Sequence, residues 1–329
     1  MGFLASVFFG FFPMFLFAWF VYWLDRYEKE PKLLLGVVFI WGAVVAAGFA
    51  FIINTVLGMG VYLVTSSDTI TDFATGSLIA PPVEELLKGF AVFAVFLLAR
   101  KEFDSVLDGI IYAGIVALGF AATENTYYIY NYGYLENGWQ GLFFLVFVRV
   151  ILVGWQHPFY TAFVGIGLAI ARLNRNWLTK IAAVILGLSI AVGLHSMHNT
   201  IATFASGLGG LVFGTIIDWS GWLVMFIIIL WAISNVQKKL RVQLREEVTQ
   251  GVITPEQYRT ACSAWSQTGA RVSALLSGKY RDTGRFYQLC GELAHKKHQY
   301  ANFGNEGGNQ AIIERIRKEL AHLSTKVTS

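Results

Sequence analysis

The sequence predicts an all-α membrane protein with about seven transmembrane helices and a cytosolic, helical C-terminal tail. The 329 residues are 55% hydrophobic and only 14% charged, with a mean hydropathy of +0.55, whereas soluble domains are about one quarter charged. Apolar stretches long enough to cross a bilayer recur along the chain. The loops between them alternate between those with Lys or Arg and those without, as expected for a polytopic membrane protein.

Seven apolar segments are close to or above the ~20 residues that a helix needs to cross the hydrocarbon core. They cover residues 2–24, 33–57, 78–99, 106–130, 141–171, 180–206 and 210–234. The fifth segment is long enough to tilt or to protrude from the bilayer. Residues 1–234 are therefore expected to form one polytopic membrane domain.

The loop charges predict the orientation of this domain. Lys and Arg occur in loops 25–32, 100–105 and 172–180 and at the start of the tail, whereas loops 58–77, 131–140 and 207–209 have neither. Positively charged loops face the cytoplasm. The N-terminus is therefore predicted to lie outside and the C-terminal tail inside the cell.

Residues 235–329 are predicted to be a basic cytosolic extension of unknown role. They carry 15 Lys and Arg against 8 Asp and Glu, whereas residues 1–234 carry 10 against 13. A basic segment next to a membrane suits an anionic lipid surface. Nucleic acid is not expected as a partner, because no recognised nucleic-acid-binding fold accompanies the basic residues.

The tail has clear helix signals. Thr254 is an expected N-cap, with Pro255 at the first helical position and Gln257 at the third. The predicted helices cover residues 255–277, 283–299 and 310–323, with breaks at Gly278 and at residues 302–309. The two cysteines, Cys262 and Cys290, are expected to be free thiols in a reducing cytosol.

Eight ionisable residues lie inside the apolar segments. Each charged residue costs about 2.5–3.5 kcal/mol on membrane-insertion scales, so such residues usually serve a function. The eight are Glu84, Glu85, Lys88, Glu124, Arg149, His157, His195 and His198.

The third segment places three of these residues on one helix flank. Glu84 and Glu85 precede Lys88 by four and three residues, a spacing at which helical side chains meet. Acidic residues near a helix start can also merely offset the macrodipole. That alternative explains one glutamate, but not Lys88 one turn deeper in the bilayer.

The fourth and fifth segments add a carboxylate, a cation and an imidazole. Glu124 is followed by Asn125, and the alternative to a functional role is hydrogen bonding between helices. Arg149 could form a purely structural ion pair with Glu124 or Glu84. His157 precedes Pro158, which is expected to kink the helix and to make room for water and substrate.

The sixth segment contains His195, His198 and Asn199. His195 and Asn199 are four residues apart and share one face, whereas His198 is expected to be a supporting or hydrogen-bonded helix contact. Counting residues from the outer ends of the helices puts the set in the outer half of the bilayer, down to its midplane.

Two hydrolytic chemistries suit carboxylates and imidazoles in a wet membrane cavity. In one, they hold Zn²⁺, which activates water, and a remaining glutamate takes up the proton. In the other, Glu and His activate water without a metal and Asn199 stabilises the oxyanion. The sequence has no H-E-x-x-H, G-x-S-x-G or Walker A motif, so soluble zincin, serine hydrolase and P-loop classes lack support.

At these residues the sequence resembles the PrsW family of intramembrane proteases, which belongs to a superfamily with the type II CAAX prenyl proteases. The resemblance covers about residues 1–234, and five motifs in order make it specific. They are Asp25-Arg26-Tyr27-Glu28-Lys29-Glu30-Pro31, Glu84-Glu85-x-x-Lys88, Phe120-x-x-x-Glu124-Asn125, Arg149 with His157, and His195-x-x-x-Asn199.

The resemblance implies proteolysis of membrane-anchored proteins in a bacterial cytoplasmic membrane, with an anti-sigma-factor-like regulatory protein as a possible type of substrate. By position, Glu84 and Glu85 match the paired glutamates of the family and His195 its essential histidine. The CAAX proteases have a histidine where this sequence has Glu124, which leaves the presence of zinc open.

These arguments lead to one set of expected roles. Glu85 is expected to be the general base. The predicted catalytic residues are Glu84, Glu85, Glu124, His195 and Asn199. The predicted zinc ligands are Glu124, His157 and His195. The predicted supporting residues are Lys88, Asn125, Arg149 and His198.

Two alternatives remain at this point. Chains of Glu and His also relay protons in transporters and channels, although no inverted repeat is visible. A non-catalytic peptide-binding scaffold with a degenerate protease fold is the other. Loss of cleavage rather than loss of solute flux in Glu85→Gln would favour the protease over the transporter. If the His195→Ala variant still complements loss of the protein, and the purified protein contains no metal, the scaffold would be favoured.

Overall fold

The computed structural model describes residues 1–25, 27, 29–204 and 207–327, with backbone only for Lys101, Phe303 and Glu306. Arg26 and Glu28 of the first predicted motif lie outside the described residues. The regular elements of the described chain are all helices, which confirms the predicted all-α fold class. It divides into two compact units, one of Met1–Trp23 with Glu30–Ile228 and one of Leu24–Lys29 with Ile229–Ser329.

The first unit is a bundle of apolar helices, because a helix satisfies its own backbone hydrogen bonds where water is absent. Its helices are α1 (Gly2–Leu24), α2 (Lys32–Ile40), α3 (Ala47–Thr65), α4 (Asp68–Phe73), α5 (Ala80–Leu98), α6 (Val106–Tyr128), α7 (Leu135–Val146), α8 (Gln156–Leu173), α9 (Trp177–Phe204) and α10 (Gly207–Gln243), the last of which continues into the second unit.

Five helical stretches of the described chain are long and apolar enough to cross a membrane. They are Gly2–Leu24, Lys32–Thr65, Val106–Leu173, Trp177–Phe204 and Gly207–Thr249. The third stretch joins the predicted segments four and five, with non-helical backbone at Asn137 and Gly138 between its two arms. The predicted third segment is helix α5, which carries Glu84, Glu85 and Lys88. The count of seven spans stays a prediction.

Four wide π-helical turns interrupt or join these helices. They cover Trp41–Ala46, Ala74–Ile79, Ile129–Tyr134 and Phe147–Leu152. Such turns are rare and often mark functional sites. The second of them leads directly into α5 and the fourth contains Arg149, so two of the four adjoin the predicted site residues.

Glycines let helix α6 pack closely in the middle of this unit. A β-carbon on Gly109 or on Gly165 of α8 would collide with the carbonyl oxygen of the other residue. A β-carbon on Gly119 would likewise collide with the carbonyl oxygen of Phe39. Small residues that allow backbones to touch are typical of helix contacts in membranes. They hold α2 and α8 against α6, which carries Glu124.

The second unit contains a short helical domain. Its further helices are α11 (Arg245–Thr249), α12 (Pro255–Ala261), α13 (Ala264–Leu276), α14 (Tyr280–Phe303) and α15 (Asn309–Ser324). The predicted start at Pro255 is confirmed, and Thr254 and Gln257 form the reciprocal capping box. The predicted helix 255–277 is wrong as one element, because Ser263 caps a new helix and splits it after Ala261.

The core of the second unit includes a residue of the first loop. Tyr27 is buried, and its hydroxyl accepts a hydrogen bond of 2.7 Å from Gln237. A β-carbon on Gly291 of α14 would collide with the Tyr27 carbonyl. Only glycine therefore allows this contact. The predicted domain boundary after residue 234 lies close to Ile228, where the first unit ends.

A buried carboxylate links three helices of the second unit. Glu247 has no exposed surface and lies 2.6 Å from the Lys297 ammonium and 2.9 Å from the Arg317 guanidinium. Replacement by glutamine leaves these two partly buried cations with the exposed Glu246 as their remaining shared anion. We expect Glu247→Gln to destabilise this unit by about 3 kcal/mol, near the lower end for broken buried pairs, because both cations keep some exposure.

The chain contains two cysteines, and both can serve as probes of the unfolding of this unit. Cys262 and Cys290 are free and buried. Burial raises the pKa of the Cys262 thiol to about 11 and also raises that of Cys290. Both thiols therefore stay protonated at neutral pH and react with a thiol-specific dye only on unfolding.

The control for Glu247→Gln is Glu314→Gln, which removes an exposed partner of Arg317 and should change the stability of the unit by less than about 1 kcal/mol. The measurement is the temperature at which the thiols begin to react with the dye on heating. The same temperature for Glu247→Gln and Glu314→Gln would contradict the prediction.

Candidate active site

Helices α5, α6, α8 and α9 bring the predicted site residues together inside the first unit. Glu84, Glu85 and Lys88 come from the first turns of α5, and Glu124 comes from the C-terminal part of α6. His157 lies in the first turn of α8, and His195 faces it from α9. Their ring centroids are 5.2 Å apart. The predicted convergence of four helices is therefore present in the structure.

Glu85 is the most tightly held carboxylate of the cluster. It is fully buried and lies 2.5 Å from the Lys88 ammonium. The Thr161 hydroxyl donates to its other oxygen at 2.8 Å. Its first oxygen also lies 3.0 Å from His195 Nδ1. A carboxylate with three partners and no exposed surface is arranged to hold its neighbours in place.

Glu84 differs from Glu85 in having an oxygen available. Its Oε2 is buried, has no hydrogen-bond partner among the described residues, and lies 3.8 Å from His195 Nε2. Its Oε1 accepts a hydrogen bond of 3.4 Å from the Asn54 amide. Because Glu85 binds His195 through Nδ1, the Nε2 lone pair of His195 is free to face Glu84.

Glu124 joins His157 to a cation. Its carboxylate lies 2.5 Å from the Arg149 guanidinium and 2.7 Å from His157 Nε2. Arg149 also donates to Asn125 at 2.9 Å and lies over the Tyr128 ring. The ion pair that the sequence offered as an alternative for Arg149 is therefore present, and it contacts the site. The Glu124 side chain is 20% exposed.

Three residues have the spacing of a metal site. Ligand atoms of Glu84, His157 and His195 all lie within 4.8 Å of one another. Two imidazoles and a carboxylate are a common ligand set of catalytic zinc. The sequence had grouped Glu124, rather than Glu84, with these histidines. Lys88 Nζ lies 3.3 Å from His157 Nδ1, so a metal would replace either Lys88 or Glu124 next to that ring.

The remaining predicted residues lie around this group. His198 Nδ1 is 3.0 Å from Asp218 of α10, which agrees with a supporting hydrogen bond. The Asn199 amide donates to the Gly76 carbonyl at 2.7 Å, and so ties α9 to the π-helical turn before α5. Its predicted role at the oxyanion stays a prediction.

Sequence reasoning did not single out several residues that touch the cluster. They include Asn54, Gln156, Tyr160, Thr161 and Asp218. Asp218 is an ionisable residue within the apolar segment 210–234, so the cost of a charge in hydrocarbon could have singled it out. Asn54 is uncharged and gives no such signal. Tyr160 stacks on His195 at 4.8 Å between ring centroids, a contact that no spacing in the sequence indicates.

The helices and the buried carboxylate–imidazole cluster define a membrane protein with a polar centre between its spans. Residues 30–233 match the family of PrsW intramembrane metalloproteases, and the chain belongs to this family. This confirms the resemblance found in the sequence.

Relatives named Protease PrsW are similar to the chain. That of Geobacillus kaustophilus is 29% identical over 141 residues, which are 43% of this chain and 55% of that protein. That of Clostridioides difficile is 34% identical over 107 residues, 32% of this chain and 43% of that protein. That of Bacillus subtilis is 27% identical over 216 residues, 63% of this chain and 82% of that protein. The chain thus spans about half the length of the first two relatives. No solved structure matches it.

Proposed function

We propose that this protein is an intramembrane protease that hydrolyses a peptide bond of membrane-anchored proteins at the Glu84, His157 and His195 cluster. The observation that carries the proposal is the approach of these three side chains to within 4.8 Å from three separate helices. Membership of a protease family favours this function over the transporter and scaffold alternatives.

The ligand set fits zinc. Glu84 offers a buried oxygen without a partner among the described residues, and His195 offers Nε2 because Glu85 holds Nδ1. We propose that Glu84, His157 and His195 hold the ion. Zinc at this position would activate water and polarise the scissile carbonyl.

Glu85 and Glu124 have separate roles in the proposed reaction. Glu85 keeps His195 in one tautomer and orientation, as outer carboxylates do for metal-binding histidines. The contacts favour Glu124 over Glu85 as the general base, because both oxygens of Glu85 are buried and hydrogen-bonded, whereas Glu124 is partly exposed. Its carboxylate takes a proton from the attacking water as the C–O bond forms, and delivers it to the leaving amine as the C–N bond breaks.

The class of substrate follows from the depth of the site. A cluster between the spans of a membrane protein can reach a peptide bond only in a chain that enters or borders the bilayer. We propose a single-span regulatory protein of the anti-sigma-factor type, cut in the outer half of a bacterial cytoplasmic membrane. The loop charges support this orientation, with the tail in the cytosol.

The proposal is tested by comparing new protein N-termini in membranes of cells that express the wild type or His195→Ala. We expect peptides beginning inside or beside transmembrane segments that occur only with the wild type, and cleavage of the same protein by purified enzyme in liposomes. Identical sets of N-termini in both membranes would overturn the assignment.

Asn54 provides a separate prediction. Its amide holds Glu84 Oε1, so Asn54→Ala should leave this proposed ligand less well oriented. We expect zinc affinity to fall by about 10- to 100-fold, the usual effect of losing such an outer contact. Competition with a coloured chelator measures the affinity. Thr55→Ala is a neighbouring control, because Thr55 bonds only the backbone of its own helix. Unchanged affinity in Asn54→Ala would refute the positioning role.

A further inference from the structure

A groove on the first unit has none of the candidate active-site residues in its lining. It occupies about 800 Å³ between helices α1 and α2, and parts of α6 form its floor. Its walls are apolar and aromatic and include Phe15, Trp19 and Phe39. Among the described residues that line it, Lys32 at the start of α2 is the single charged one.

We propose that this groove binds one acyl chain of an anionic phospholipid, with the lipid phosphate at Lys32. The proposal does not depend on proteolysis. It rests on the shape of the groove, on the position of its one cation and on the space beside Gly36.

The groove has the length of one leaflet. From Lys32 to Val44, the last groove residue of this helical run, the helix rises about 18 Å. Half of a hydrocarbon core is about 15 Å. The deep end lies where the Thr123 hydroxyl bonds the Ala43 carbonyl at 2.6 Å and ties α6 to this helix. An acyl chain running from the interface toward the midplane matches these dimensions.

The charge is complementary to an anionic head group. Lys32 is exposed and its ammonium lies 5.7 Å from the centre of the Tyr22 ring, at the end of α1. Tyr and Lys at helix ends are typical of the membrane interface. A Lys near the membrane surface raises the affinity for an anionic lipid by about fivefold. A protein helix in this groove would gain nothing from Lys32 unless it carried an acidic residue at the same level.

Gly36 allows a sharp test. It lines the groove, and a β-carbon at this position meets no atom of the protein within 4 Å. A leucine there has room for its β-carbon, and the rest of its side chain would occupy part of the groove. Gly48 of α3 has the same open surroundings but does not line the groove, so Gly48→Leu is a matched control.

The experiment is native mass spectrometry of the purified full-length protein with equal amounts of dioleoyl phosphatidylglycerol and dioleoyl phosphatidylethanolamine. Basic residues of the tail also attract anionic lipid, so the readout is the difference between variants. We expect wild type and Gly48→Leu to retain one more phosphatidylglycerol than Gly36→Leu does. Lys32→Gln should retain a lipid at this site but lose the roughly fivefold preference for phosphatidylglycerol.

Two results would overturn the binding of a lipid chain in the groove. One is equal lipid retention by Gly36→Leu and Gly48→Leu. The other is a wild-type dimer that Gly36→Leu abolishes, because the groove would then hold a second copy of the chain. A preference that persists in Lys32→Gln would also contradict the assigned position of the phosphate.

Discussion

Glu84→Gln is expected to lower the rate of peptide-bond hydrolysis by about 10²- to 10⁴-fold, the range over which a positioned acid–base or ligand group contributes. Glutamine keeps the shape of the side chain and can still accept the hydrogen bond from Asn54. It removes the negative charge beside His195, so zinc should bind much more weakly. Cleavage of the substrate found by N-terminal profiling and zinc content of the purified protein measure the two effects.

The matched control is Glu136→Gln, which changes an exposed carboxylate of α7. It should retain both hydrolysis and zinc. Loss of hydrolysis with full zinc content in Glu84→Gln would show that Glu84 handles protons and does not bind the metal. Full hydrolysis would remove Glu84 from the active site altogether.

Lys88→Met is expected to destabilise the first unit by about 3–5 kcal/mol. Glu85 and Lys88 are both fully buried and only 2.5 Å apart. Methionine fills much of the lysine volume, but it leaves the Glu85 carboxylate without its cation, which is the costly way to break a buried ion pair. Unfolding by SDS in mixed micelles, followed by tryptophan fluorescence, measures the change.

The double variant Glu85→Gln with Lys88→Met separates charge from packing. Removal of both partners of a buried pair is often nearly neutral, so the double variant should regain most of the lost stability. The rate of hydrolysis should stay about 10- to 100-fold below that of the wild type, because an amide, a weaker hydrogen-bond acceptor than the Glu85 carboxylate, then orients His195. The exposed Lys180→Met is the control, with a change of less than about 0.5 kcal/mol. A double variant as unstable as Lys88→Met would show that packing, and not charge, accounts for the loss.

Many features of this protein could be predicted from the sequence because they depend on one helix at a time. The helical membrane class follows from apolar stretches of bilayer length. The start of α12 at Pro255 follows from a local capping box. The cost of a charge in hydrocarbon singles out Glu84, Glu124 and His195 wherever their helices pack. Their order along the chain was also enough to indicate the family.

The pairing of these groups was decided only by the tertiary structure. Spacing placed Glu84 and Glu85 equally well beside Lys88, but the structure pairs Glu85 with Lys88 and turns Glu84 toward His195 and Asn54. It also assigns Arg149 to Glu124. Such pairings depend on the depth and rotation of each helix about its axis, and contacts distant in sequence set both. The sequence therefore determined which groups are in the membrane, whereas packing decided which of them is left with an oxygen available for chemistry.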